Sequence, residues 1–187
     1  MTAQTDLTRD EIIARNLAAV EVHFHNENPE SIDEAVSVYT DDIVWEVPAR
    51  GLVLRNVEDV KQEYLKIFSS MTIHKITNLH RFATEEWVFD DSIFEWTMTG
   101  DGFRNAPLPK GTTCSIRLLH AFQMRDGLIC REHGYEIWRD INDTVRVNDD
   151  IPADARVEVF DWGFSDVAAR PREREASGLP WESGGVV

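Results

Sequence analysis

Two histidines, His120 and His133, are the residues of this chain best suited by type to move protons. An imidazole has an unperturbed pKa of about 6.5, so it takes or gives a proton near neutral pH. Between the two lies Asp126-Gly127, a dipeptide that accepts the positive φ angles of a type I′ turn, flanked by apolar-rich runs from Thr112 to Trp138. A two-residue loop there pairs Arg125 with Leu128 and fixes the rest of the hairpin. Met124 then faces Ile129, Phe122 faces Arg131, His120 faces His133, Leu118 faces Tyr135 and Ile116 faces Ile137. Side chains alternate along a strand, so those pairs share one face, apolar at both ends with two histidines at its centre. Arg117, Gln123, Glu132 and Glu136 fall on the opposite, wetter face. A bulge at Arg125-Asp126-Gly127 would shift every one of these partners. The plain alternative is that each histidine is a core residue bonded to a backbone group or a carboxylate.

Other side chains can join that chemistry. Glu46 follows Trp45 on an early strand; buried beside an apolar wall its carboxyl pKa would rise and suit proton transfer, while in water it is a solvated carboxylate. The Tyr135 hydroxyl can donate to a developing oxyanion, and Arg131 can hold an anionic or phenolic oxygen. Trp45, Trp96, Phe94, Phe122 and Leu118 are candidates for the apolar lining of a pocket, or for plain core. The catalytic candidates are thus His133, His120 and Glu46. Neither His80 and Asn78, on a strand of unfixed register, nor His23 and His25, at a helix edge, is given a role.

The elements that must position these groups are legible in part. Thr8 and Glu11 form a capping box, and Ile13, Leu17, Val20 and Phe24 recur at helical spacing behind it. Asn26 to Pro29 breaks that helix, and Ile32, Ala35, Val36 and Tyr39 make a second stripe. A short strand at Ile43 to Val47 ends at Pro48, with Asp41 and Asp42 in the turn before it. Asn56 caps a third helix whose Val60, Tyr64, Ile67 and Phe68 face inward. Met71 to Phe89 is extended without a clear register. Ser92 to Thr99 alternates cleanly, with Phe94, Trp96 and Met98 on one face; Gly100 to Gly111 is a loop. Past Asp140 the periodicity stops, apart from a short strand expected at Val157 to Phe164. The division is a domain over 1–140 and an extension over 141–187, expected as a lid over the pocket or an oligomer contact, whose Trp162 and Trp181 can anchor it to the body or to a neighbouring subunit.

Composition narrows the function classes. The 187 residues suit one domain with a tail, and a 42% hydrophobic fraction is enough for a core. A formal net charge of -15 repels phosphate backbones and anionic membranes, which argues against nucleic acid and membrane partners. Cys114 and Cys130 form no CxxC pair and no zinc-like spacing, so neither a metal nor a disulfide is expected. The absence of a signal-like start or a long apolar run leads to the expectation of a cytoplasmic protein.

The order of elements resembles the nuclear-transport-factor-2-like superfamily, and within it the SnoaL-like polyketide cyclase group. The resemblance rests on Tyr39-Thr-Asp-Asp-Ile-Val-Trp-Glu-Val-Pro48, on Phe94-Glu-Trp-Thr-Met-Thr-Gly100, on Pro107 through Gly111, and on Phe122-Gln-Met-Arg-Asp-Gly-Leu-Ile-Cys-Arg-Glu-His-Gly-Tyr135. It spans about Asp10 to Asp140. It implies an α+β fold in which a curved antiparallel sheet wraps around N-terminal helices to form a conical pocket. It also implies cofactor-independent chemistry on a small molecule and a homodimer or higher homo-oligomer. His120 resembles a histidine at that strand position in the cyclases. Their last-strand aspartate is missing, since Gly134, Tyr135 and Glu136 stand there, which turns the expectation from aldol cyclisation toward a lyase, dehydratase or isomerase, retro-aldol cleavage included. The expected substrate is a small apolar, aromatic or polycyclic compound carrying a hydroxyl or carbonyl. The alternatives are a non-catalytic ligand-binding or assembly domain, an aldol polyketide cyclase, and an epoxide hydrolase, which needs paired carboxylates around a water.

Overall fold

The computed structural model describes residues 7–143. Most of the expected extension, with the strand at 157–164, therefore lies outside the described residues. Helix α1 (Arg9–His25) starts on the expected capping box, with Thr8 accepting from the Glu11 amide and Glu11 reaching back. Two short elements follow, α2 (Ile32–Val36) and strand β1 (Tyr39–Val47). β1 begins earlier than its apolar core suggests: Tyr39, Asp41 and Asp42 belong to the strand, not to a helix or a turn. A single 3-10 turn (Pro48–Arg50) and strand β2 (Leu52–Leu54) lead to α3 (Val57–Phe68), capped by Asn56 as expected.

Four long strands then build most of the sheet: β3 (Met71–Ala83), β4 (Trp87–Met98), β5 (Thr113–Arg125) and β6 (Leu128–Asp140). The strand order is β2-β1-β6-β5-β4-β3. All neighbours are antiparallel except β1 and β6, which run parallel. The α+β class and the curved sheet over N-terminal helices stand as expected. No helix among the described residues is long and apolar enough to cross a membrane.

The helices cover one face of the sheet and the core lies between. Val88, Trp96, Met98, Ile116 and Phe122 point into it from the central strands, alternating with outward neighbours. Phe24 of α1 meets the rings of His120 and Phe122 at 5.1 Å and 5.4 Å, so α1 closes over β5. The opposite face is open, with Leu119, Tyr135 and Ile137 exposed on it.

The loop between β4 and β5 is tied to the end of α3. The Thr99 and Gly100 amides donate to the Ser70 carbonyl, and the Gly102 amide donates to Ser70 Oγ at 2.8 Å. This anchoring turns Phe103 inward, where it stacks on Trp96 at 5.6 Å. Gly102 has no room for a side chain, because a Cβ would overlap the Lys66 carbonyl. Gly111 has open space around it and needs only its positive φ of 91°. Gly102→Ala is expected to lose about 1–3 kcal/mol of stability through backbone overlap. Gly111→Ala should lose only about 1 kcal/mol from left-handed strain. Urea unfolding of the two variants side by side checks that ranking.

Candidate active site

One extra residue in the closing hairpin decides which side chains reach the core. The turn is as expected, with Asp126 and Gly127 both at positive φ, and Arg125 pairs with Leu128 and Met124 with Ile129. Gln123 then pairs with Arg131, so Cys130 is a bulge, its thiol donating to the Gln123 carbonyl at 3.4 Å. Beyond it Phe122 faces Glu132, Ala121 faces His133 and His120 faces Gly134. The parity of β6 is reversed from the sequence expectation.

His120 and His133 are therefore on opposite faces and cannot act together. His133, Arg131 and Tyr135 turn outward, as does Glu46, because Trp45 takes the inner position on β1 and its neighbour must point away. There His133 Nδ1 lies against the Glu46 carboxylate without a hydrogen-bonding alignment, and Arg131 Nη2 reaches Glu46 at 3.1 Å. The His133 ring stacks between Trp87 and Tyr135, at 6.2 Å and 5.9 Å. Burial, partly offset by Glu46 and aided by Arg131, holds the His133 imidazole below its usual pKa. The inner face receives what the sequence reading placed on the wet side: Glu132, now 1% exposed, and Glu136.

A cavity opens between the helices and this inner face. Trp45, Phe94, Trp96, Leu118 and His120 line it, and Phe122 lies fully buried behind His120, its ring 5.4 Å away. The lining also includes Tyr64, Phe68, Phe103, Glu27, Arg50, Glu132 and Glu136. The volume open to the centres of water molecules is about 70 Å³. That is room for a small compound.

One wall of the cavity is a buried polar cluster assembled from four elements. Glu132 of β6 accepts a hydrogen bond from Tyr64 of α3 at 2.7 Å and another from Tyr39 of β1. Trp45 Nε1 donates to the Tyr64 hydroxyl at 3.1 Å. His23 of α1, wholly buried, brings Nε2 to 3.5 Å from Glu132 and 3.1 Å from Glu27. Its Nδ1 lies 3.1 Å from the Ala35 carbonyl, which can only accept, so Nδ1 carries a hydrogen. Burial works against the charge of this imidazole, but Glu132 and Glu27 outweigh it and lift its pKa to about 9. Burial and the Glu132 carboxylate together raise Tyr39 and Tyr64 well above the ordinary tyrosine range, so both remain donors. The same ligand atoms of His23, Glu27 and Glu132 lie within 4.8 Å of one another, which is also a spacing that can hold a cation.

The sequence pattern does not reveal this cluster: it puts His23 at a helix edge and Tyr39 on a helix stripe, and the unbulged hairpin register turns Glu132 to the wrong face. The available signal was spacing: Asn16 and His23, seven residues apart, sit on the same buried stripe as Val20.

Two comparisons with known proteins place the fold. The family described as the SnoaL-like domain matches residues 13–132. Among solved structures, an LEH-like epoxide hydrolase of Mycobacterium tuberculosis superposes with a TM-score of 0.52 at 15% identity, covering 67% of this chain and 84% of that one. An NTF2-like protein of Burkholderia xenovorans LB400 gives 0.54 at 14% identity, covering 67% and 91%. A protein proposed to be a polyketide cyclase, from Silicibacter sp. TM1040, gives 0.55 at 12% identity, covering 67% and 90%. These structures are similar in fold alone. No curated protein matches the chain in sequence.

The His23 environment makes a pH prediction. Its folded pKa, about 9, lies above the ordinary 6.5, so the stabilisation it provides is complete below pH 6.5 and is lost as pH rises through about 9. By linkage the loss is roughly 3 kcal/mol across that window. Urea unfolding between pH 6 and 10 should show this decline in the wild type. His23→Gln should be less stable at pH 6 and should lack the slope.

Proposed function

The chain belongs to the SnoaL-like domain family, and from its buried cluster we propose that it is a cofactor-independent acid/base enzyme acting on a small, largely apolar compound. The observation that carries this reading is Glu132, a 1% exposed carboxylate on the wall of an aromatic cavity, gripped by two tyrosine hydroxyls beside a charged histidine. Burying a carboxylate costs several kcal/mol unless it is paired and hydrogen-bonded. A cluster so arranged on a cavity wall is a functional-site signature more than an ordinary core feature.

Each group has a role in that reading. Glu132 accepts a proton from a substrate C–H next to a carbonyl, or from a hydroxyl. Tyr64, which lines the cavity, donates to the oxygen that gains charge, while Trp45 holds it in place. His23 and Tyr39 stand behind Glu132 and keep its two oxygens oriented. Return of the proton to another carbon is an isomerisation; departure of a hydroxyl with the proton is a dehydration. The neutral indole N–H of Trp96, buried without a partner among the described residues, suits a second substrate oxygen.

A second reading has its own support. Glu27 and Glu132 both line the cavity and face each other across the His23 imidazolium. Such a pair can share the opening of an epoxide, one carboxylate taking a proton from water while the other, protonated, delivers one to the ring oxygen.

Both readings are tested on one panel of single-ring hydroxyketones and epoxides. Glu132→Gln should lower kcat on the compound turned over by about 10²–10⁴-fold with little change in KM. His133→Ala, altered on the outer face, should leave turnover within about twofold. Full activity in Glu132→Gln, or its loss in His133→Ala, overturns the assignment.

A further inference from the structure

The acidic and basic side chains on the cavity wall do not match in number. Two carboxyl groups, Glu27 and Glu132, face the single imidazole of His23. Arg50 is the one lysine or arginine among the described lining residues, and it is already committed. Its Nε donates to Glu136 at 3.1 Å and its Nη1 to the Arg104 carbonyl at 3.3 Å. Glu136 in turn accepts from Trp138 Nε1 at 2.7 Å. Glu132 has both oxygens taken by tyrosines, whereas Glu27 has His23 as its only side-chain partner among the described residues.

A second, independent observation points to the same ligand. His120 is 6% exposed, lines the cavity, and its Nδ1 has no hydrogen-bond partner among the described residues. An unpaired buried nitrogen is destabilising, and as an acceptor it is satisfied by an N–H. Its ring lies 5.1 Å from Phe24 and 5.4 Å from Phe122, and Phe122 is 5.6 Å from His23. Phe122 thus lies between the His120 and His23 rings, and His120, Glu27 and Glu132 line the same cavity. The surrounding walls include the rings of Trp45, Tyr64, Phe68 and Phe94, and the face of such a ring attracts a cation through its quadrupole.

We infer that the cavity takes an aromatic or alicyclic amine in its ammonium form, with the ammonium donating to Glu27 and to His120 Nδ1. This rests on the cavity being the substrate site and adds the chemical class of what enters it. A metal ion could use the His23, Glu27 and Glu132 atoms, but aromatic walls and an unpaired imidazole beyond those three ligands suit an organic cation better.

Titration calorimetry of the full chain with benzylamine, benzyl alcohol and zinc chloride tests this, with the tryptophan indole N–H signals reporting by NMR which compounds enter the cavity. Benzylamine should bind about tenfold or more tightly than benzyl alcohol, the equivalent of one desolvated cation–π contact. Glu27→Gln should erase that preference and leave benzyl alcohol unchanged. The wild-type comparison stands on its own should the variant fold poorly. Equal affinity for the two compounds, or a preference that survives Glu27→Gln, overturns the inference while leaving the cavity a ligand site. Zinc bound through Glu27 with no amine preference overturns it in favour of a metal. If neither ring compound perturbs the indole signals, the inference and the reading of the cavity as a substrate site both fall.

Discussion

The burial of the Glu132 carboxylate is the constraint on which the rest of this architecture depends. Two tyrosines, a histidine and, one step back, a tryptophan converge on it from β1, α1 and α3, and each arrives with its own geometry already fixed. A buried carboxylate left unpaired is worth several kcal/mol of instability, so the partners cannot drift independently. Helix α1 is set at the angle that brings His23 to Glu132, and that same angle lays Phe24 across β5. The cavity is the space left on one side of this knot. Its shape and its chemistry therefore have a single origin.

Cys130 is what makes that origin possible. A strand side chain has two directions to choose from, and one added residue exchanges them for everything beyond it. With the bulge, Glu132 and Glu136 go inward while Arg131, His133 and Tyr135 go outward. Without it, β6 would bury a histidine and expose the carboxylate. The outward set finds its own pairing with Glu46 on β1, directly across the parallel ladder, where Glu46 and His133 are register partners. The two faces of β6 thus carry two separate histidine–carboxylate systems, one buried with the helices and one on the open side of the sheet.

The sequence was informative wherever a local rule acted alone. The Thr8 capping box, the Asn56 cap, the alternation of Phe94, Trp96 and Met98, and the Asp126-Gly127 turn each follow from nearby residues, and each is where it was expected. It failed where a distant contact overrode the local rule. Nothing about Cys130 marks it as a bulge; the bulge is favoured because it delivers Glu132 to Tyr39 and Tyr64, more than sixty residues away in the chain. Tyr39 looked like the end of a helical stripe because its apolar neighbours share helical spacing, yet β6 draws it into the sheet. His23 looked like a polar edge because a stripe is read from apolar types, and a histidine held by two carboxylates is buried for electrostatic reasons that no hydrophobic pattern records. The lining residues Trp45, Trp96, Phe94, Leu118 and His120 were legible from the strand alternation; the carboxyl groups and His23 were not.

That asymmetry bears on how far a shared fold can inform chemistry here. The similar structures share the fold at 12–15% identity. In this chain a single bulge decides which polar residues of β6 face inward. The chemistry of a member is therefore set by which inner positions hold charge and how that charge is balanced. In this chain two carboxyl groups, Glu27 and Glu132, face one imidazole on the cavity wall, and the one arginine among the described lining residues is bound to Glu136. On the function proposed above, a cavity with aromatic walls and more carboxyl groups than cations selects first on the charge of what enters, and proton transfer follows only on what that selection admits.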